Sequence, residues 1–160
     1  MLSFFRKVRK NLGHVVPSPD LVHSAIWISK DEIVSDNSIG AIFVYGRYFN
    51  KKNSKVYLNK DGAKAYVMTL KQFKERYPAI EPMKLNAHNK LNLLEFIDKI
   101  SNEGNWGAHD YNWPTNNCQH FTAKLINILD ATRDAPSNDD WIELPKQVLN
   151  SLESNEKKVN

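Results

Sequence analysis

A single cysteine, Cys118, occurs among 160 residues, so no internal disulfide can hold this chain together. A reducing compartment is the simpler home for such a chain, and the cytoplasm is the expected location. No apolar run reaches the eighteen or so residues that cross a bilayer. The opening stretch, Met1 to Gly13, is too charged, and its apolar runs are too short, for a secretory signal. No internal repeat is present, which excludes solenoids and propellers. Net charge is also scarce outside the N-terminus. The formal charge is +4, and Arg6, Lys7, Arg9 and Lys10 alone supply four positive charges. The rest of the chain is close to neutral, which speaks against a nucleic-acid-binding face.

What is present fits one globular domain. Hydrophobic residues make up 41% and charged residues 25% of the chain, close to the globular average. The length suffices for a core without metal or disulfide staples. Three segments are expected: a basic amphipathic stretch over 1–13, a single domain over 14–152, and a charged, frayed tail over 153–160. In the first, Leu2, Phe5, Val8 and Leu12 recur at helical spacing with basic residues between them. Such a segment is either a short helix packed on the domain or frayed, or a peripheral contact of residues 1–12 with an anionic membrane surface. His14, between Gly13 and the prolines Pro17 and Pro19, reads as linker.

Strand signals come next. Leu21 to Ser29 is rich in β-formers, and alternation sets His23, Ala25 and Trp27 on one face, Val22, Ser24, Ile26 and Ile28 on the other. Gly40 to Phe49 is apolar on both faces in its first half, as a central strand is. Lys55 to Leu58 and Lys64 to Leu70 flank Asn59-Lys60-Asp61-Gly62, a hairpin turn. Helical patterns follow over Leu70 to Tyr77, Lys90 to Ile100 and Asn117 to Leu129, and Pro145 suits the first turn of a last helix. A polar, aromatic loop occupies Asn102 to Asn116. The expectation is an α+β domain: an antiparallel sheet of about four strands packed against a cysteine-bearing helix.

The chemistry concentrates at Trp113-Pro114-Thr115-Asn116-Asn117-Cys118-Gln119-His120-Phe121. Pro114 disfavours helix before it, and Thr115 or Asn116 can cap the helix that follows. Cys118 then sits in the first turn, where backbone N–H groups and the helix dipole stabilise a thiolate and an oxyanion. Asn116, Asn117 and Gln119 are the residues expected to support the cap and the oxyanion. At about 100° per residue, Cys118 lines up with Phe121, Leu125 and Leu129, while His120 lies about 200° away with Lys124 and Asn127. A base for the thiol must therefore come from elsewhere. His23, on a stiff strand beside small Ala25, is the first choice, and His109, on the loop before the helix, the second. His14 and His88 lie in polar, irregular stretches. A cysteine on the apolar side of a helix is also a common core residue. No paired spacing supports zinc on Cys118, His109 and His120, and no metal or cofactor is expected.

Two of these stretches resemble a known family. Asn117-Cys118-Gln119-His120-Phe121 is similar to the Asn-Cys-x-His-Phe motif of the lecithin:retinol acyltransferase-like family. His23-Ser24-Ala25-Ile26-Trp27-Ile28 is similar to that family's histidine strand, His-x-Ala-Ile before an aromatic residue. That family and the PPPDE peptidases belong to the circularly permuted papain-like (NlpC-type) superfamily, in which the histidine strand precedes the cysteine helix. The resemblance covers two short motifs within residues 21 to 130, and implies a papain-like fold with Cys118 as nucleophile and His23 as base. The acyltransferases carry a second histidine on the next strand. Here none occurs between His23 and His88, and Tyr45 or Arg47 is the polar group left to hold the His23 ring. Many of them also end in a membrane anchor, whereas this sequence ends in charged residues.

The expected reaction starts with His23 taking the Cys118 proton, and proceeds through a thioester acyl-enzyme. Hydrolysis of a peptide or isopeptide bond is the leading expectation. Acyl transfer or phospholipase action on a lipid is the second, and an inactive papain-like binding module the third. The partner is then a protein, a peptide or a lipid acyl group.

Overall fold

Alternating apolar residues along short strands give a sheet with two greasy faces, and amphipathic helices are needed to cover both. The computed structural model describes residues 2–6, 25–31, 33–45, 56–57, 62–76, 82–112, 114–133 and 146–159. Among them run β1 (Leu2–Arg6), β2 (Ile26–Ser29), β3 (Ile39–Val44), β4 (Val56–Tyr57), β5 (Lys64–Thr69), α1 (Leu70–Arg76), β6 (Pro82–Asn86), α2 (Leu93–Asn102), α3 (Cys118–Ile128), β7 (Thr132–Arg133) and α4 (Lys146–Val159). The strands form one antiparallel sheet in the order β4-β5-β3-β2-β1-β6-β7. The fold is α+β.

Cross-strand register decides which side chains share a face. Ile26 stands opposite Phe43, and Phe43 opposite Ala65. Together with Ile28, Tyr45 and Leu85 they face Phe96 and Ile100 of α2, Phe121 and Leu125 of α3, and Val148 and Leu152 of α4. Phe43 meets Phe96 edge-on, with ring centroids 5.1 Å apart. The other face gathers Ala25, Trp27, Ile42, Val44, Tyr66 and Met68 under Leu70 and Phe73 of α1. Trp27 is fully buried there, and its indole N–H donates to the Met68 carbonyl at 3.1 Å.

Local capping fixes the helix starts. Thr69 and Gln72 exchange side-chain and backbone hydrogen bonds at the head of α1, and Asn92 and Glu95 form a capping box on α2. At the far end of α3, Asp130 takes a left-handed φ of 47°. That turn lets the Ala131 and Asp130 N–H groups reach back to the Ile126 and Asn127 carbonyls. His88 and Asn89 donate their N–H groups to the Leu129 carbonyl, at 3.0 and 2.9 Å.

Three expectations are corrected. Residues 2–6 form a strand, not the first half of an amphipathic helix. Phe4 lies opposite Trp27 on one side and Lys84 on the other, and two hydrogen-bonded ladders outweigh a helix of barely three turns. A membrane-surface helix over 1–12 is excluded for those five residues, and 7–13 lie outside the described residues. The sheet has seven strands among the described residues rather than about four, because β1, β6 and β7 are short and carry little alternation. Residues 153–159 are the second half of α4, not a frayed tail. Asn155 is buried and donates to the Ile126 and Ala131 carbonyls, and Glu156 pairs with Arg133 at 2.7 Å.

Candidate active site

The start of α3 is built by one asparagine. Asn117 is extended (φ −119°, ψ −172°) and its Oδ1 accepts from the N–H groups of Gln119 and His120, at 2.9 and 3.2 Å. The His120 ring turns back so that Nδ1 lies 3.3 Å from the Asn117 N–H and 2.9 Å from Oδ1. The cap is therefore Asn117, one residue after Asn116 and two after Thr115. Asn116 instead locks the preceding loop, its Nδ2 donating to the Asn105 and Asp110 carbonyls at 2.7 and 2.9 Å. Gln119 is fully buried.

Cys118 is the first residue of α3 and is 6% exposed. Two of the backbone donors that the helix terminus offers, those of Gln119 and His120, are taken by Asn117. Tyr111, on the loop before α3, is the titratable neighbour of Cys118. Burial raises the Tyr111 phenol above its usual range, and the Cys118 charge and thiol add to the rise. The donation from the Cys118 amide pulls the other way. Tyr111 was hidden in a loop whose sequence offers no periodicity, and the only local signal is the pair of asparagines, Asn112 and Asn116, that closes the turn around Pro114.

An aromatic cluster backs this contact. Tyr45 lies 5.2 Å from Tyr111, 5.4 Å from Trp106 and 5.8 Å from Phe121, between ring centroids. Its hydroxyl donates to the Gly107 carbonyl at 2.7 Å, and burial, then the charges of Asp110 and Tyr111, push its pKa up to about 12. The proton of Tyr45 is thus committed to the loop. Gly62 holds the same loop to β5: the Ala63 N–H donates to the Trp106 carbonyl at 2.8 Å, and a Cβ on Gly62 would run into that carbonyl.

The histidines divide. His23 and Arg47 lie outside the described residues, as does His14. Ala25 and Trp27, expected to share a face with His23, pack on the α1 side of the sheet, whereas Ile26 and Ile28 face α3. Pairing His23 with Cys118 therefore requires the side-chain alternation to break before Ala25. His109 is exposed on a 3₁₀ turn (Ala108–Asp110). His88 Nε2 lies 2.7 Å from the Thr132 hydroxyl. His120, whose pKa burial lowers, has Nε2 3.5 Å from Gln147 Nε2 and lines an open cavity of about 700 Å³ with Asp110, Asn116, Asn127, Gln147 and Asn150. Asn116 and His120, two residues either side of Cys118, bring this polar cavity to the head of α3.

The arrangement supplies a thiol, an adjacent phenol and a polar recess. Among the described residues, no helix is long and apolar enough to cross a membrane. Comparison of the chain with protein-family models, with curated proteins and with solved structures finds no match.

Proposed function

We propose that the chain is a cysteine-dependent hydrolase of papain-like, permuted NlpC-type architecture that cleaves a peptide or isopeptide bond through a thioester at Cys118. The observation that carries this reading is the position of Cys118: first residue of a helix whose cap, Asn117, holds the two N–H groups that follow it. The helix packs on an antiparallel sheet, and the His23 segment precedes it in the chain, the order of that superfamily. In this reading His23 takes the thiol proton, the thiolate attacks the carbonyl, and water releases the acyl group. The polar walls of the neighbouring cavity, Asp110, Asn116, His120 and Asn127 among them, suit a polypeptide better than an acyl chain.

A second reading is a papain-like binding module without turnover, and the 6% exposure of Cys118 favours it. Thiol chemistry separates the two. The hydrolase reading expects Cys118 in the native protein to alkylate faster than a free thiol near pH 6, and His23→Ala to slow that reaction without unfolding the chain. A peptide bearing a C-terminal electrophile should label Cys118, seen by mass spectrometry and lost in Cys118→Ala. Labelling only after denaturation would establish the binding module. A fatty-acyl adduct from phospholipid vesicles, without peptide capture, would establish a lipid acyltransferase or phospholipase instead.

A further inference from the structure

Trp106 follows α2 in the chain and is anchored by three partners. Its carbonyl accepts from the Ala63 N–H at 2.8 Å. Its ring meets Tyr45 and Phe121 edge-on, with centroids 5.4 and 5.1 Å away. The residue is 6% exposed, yet its indole N–H finds no acceptor among the described residues. A buried donor is ordinarily paired, because leaving it unpaired forfeits its hydration for nothing. Gly104 lies against this N–H: a Cβ there would run into indole Nε1 and Cε2. The missing side chain keeps that edge of the indole uncovered, and both residues line the open cavity of about 700 Å³.

A second group in the same wall has the opposite need. Gln147 is in the first turn of α4. With the His120 Nδ1–H on Asn117 Oδ1 at 2.9 Å, His120 Nε2 is the acceptor for the Gln147 amide N–H, 3.5 Å away. Gln147 Oε1 is left buried and without a donor among the described residues. The recess thus holds one unpaired donor and one unpaired acceptor, on different elements. The structure assigns it to a primary carboxamide, the side-chain end of asparagine or glutamine, whose oxygen accepts from the Trp106 N–H and whose NH₂ donates to Gln147 Oε1.

The charges in the wall favour a neutral ligand. Lys124 is paired with Glu103 at 3.1 Å, and Asp110 Oδ2 accepts from the Gly107 N–H at 3.1 Å. A carboxylate entering here would face both acids with only the shared lysine to offset them. An ammonium group has no lone pair for the indole N–H, and an apolar chain serves neither unpaired group. A carboxamide carries its acceptor and its donor on separate atoms, as two wall groups on separate elements require. As part of a substrate the carboxamide rests on the hydrolase reading; as a bound group it does not.

The indole N–H signals of the full chain, read by ¹⁵N NMR, test this. The Trp106 signal among the four tryptophans is assigned by its through-space contact with Gly104. N-acetylglutamine methylamide is titrated in, with the glutamate and methionine counterparts as controls that keep the same backbone amides. The glutamine compound should move the Trp106 signal downfield to saturation, and the other two should leave it in place. Gln147→Leu should weaken the glutamine titration about 10-fold, the worth of one hydrogen bond. A signal that glutamine does not move, that all three compounds move alike, or whose titration is unchanged in Gln147→Leu overturns the inference. Cys118 labelling by the peptide electrophile without that shift overturns this inference alone. The shift without labelling overturns the hydrolase reading and leaves the carboxamide site standing.

Discussion

Single side chains here act mainly by what they hold in place. Arg133 and Glu156 form a two-pronged pair, Nε and Nη2 each 2.7 Å from a carboxylate oxygen, and join β7 to α4. The hydrogen bonds from Arg133 hold the Glu156 carboxyl below its usual range, against the opposing effect of burial. A depressed carboxyl stabilises the fold above its unfolded pKa and loses that contribution as pH falls through the folded value. Glu156→Gln should therefore cost about 1 kcal/mol near neutrality, the worth of a partly exposed ion pair. The cost should vanish in acid below the carboxylate range. Thermal melts of both chains across pH check this; a deficit that persists undiminished in acid would show that Glu156 acts by packing.

At the scale of elements, α3 depends on its first residue pair. Asn117 satisfies two backbone donors and orients His120, so Asn117→Ala should destabilise the chain by about 1–2 kcal/mol, read from urea unfolding. Because Cys118 opens the same turn, its alkylation should also slow in that variant. Normal reactivity with lowered stability would separate the cap from the thiol's environment. Much of this element was legible in the sequence: Pro114, the run of polar residues and the apolar stripe Phe121, Leu125 and Leu129 locate the helix. The sequence left the cap open because Thr115, Asn116 and Asn117 are all competent caps, and the pairing of Asn116 with Asn112 removes that residue from the choice.

For the whole molecule, β1 is decisive. It lies between β2 and β6 in the sheet, so a chain lacking residues 1–6 would leave unpaired edges on both neighbours. Such a chain is expected to lose its cooperative melt and to aggregate, checked by circular dichroism and size-exclusion chromatography. A shortened chain that melts like the full one would show that the sheet closes without β1. This is the opposite of what a detachable membrane-binding segment predicts, namely an intact fold with weaker vesicle binding.

The sequence by itself determined the elements whose signals are local. Helices α1 to α3 follow from helical patterns local to each segment, and the β4–β5 pairing follows from its turn. The cysteine at a helix head was equally plain, since helix geometry depends on neighbours in the chain. Only the tertiary structure decided that residues 2–6 and 82–86 are strands. Their backbone groups are satisfied by partners distant in sequence, and five residues carry too little pattern to announce it. It also decided that Asn155 is buried and that Glu156 pairs with Arg133. The packing of Tyr111 on Tyr45 came from tertiary structure for the same reason: it requires a closed turn and a strand end to meet, and no spacing in one dimension records that meeting.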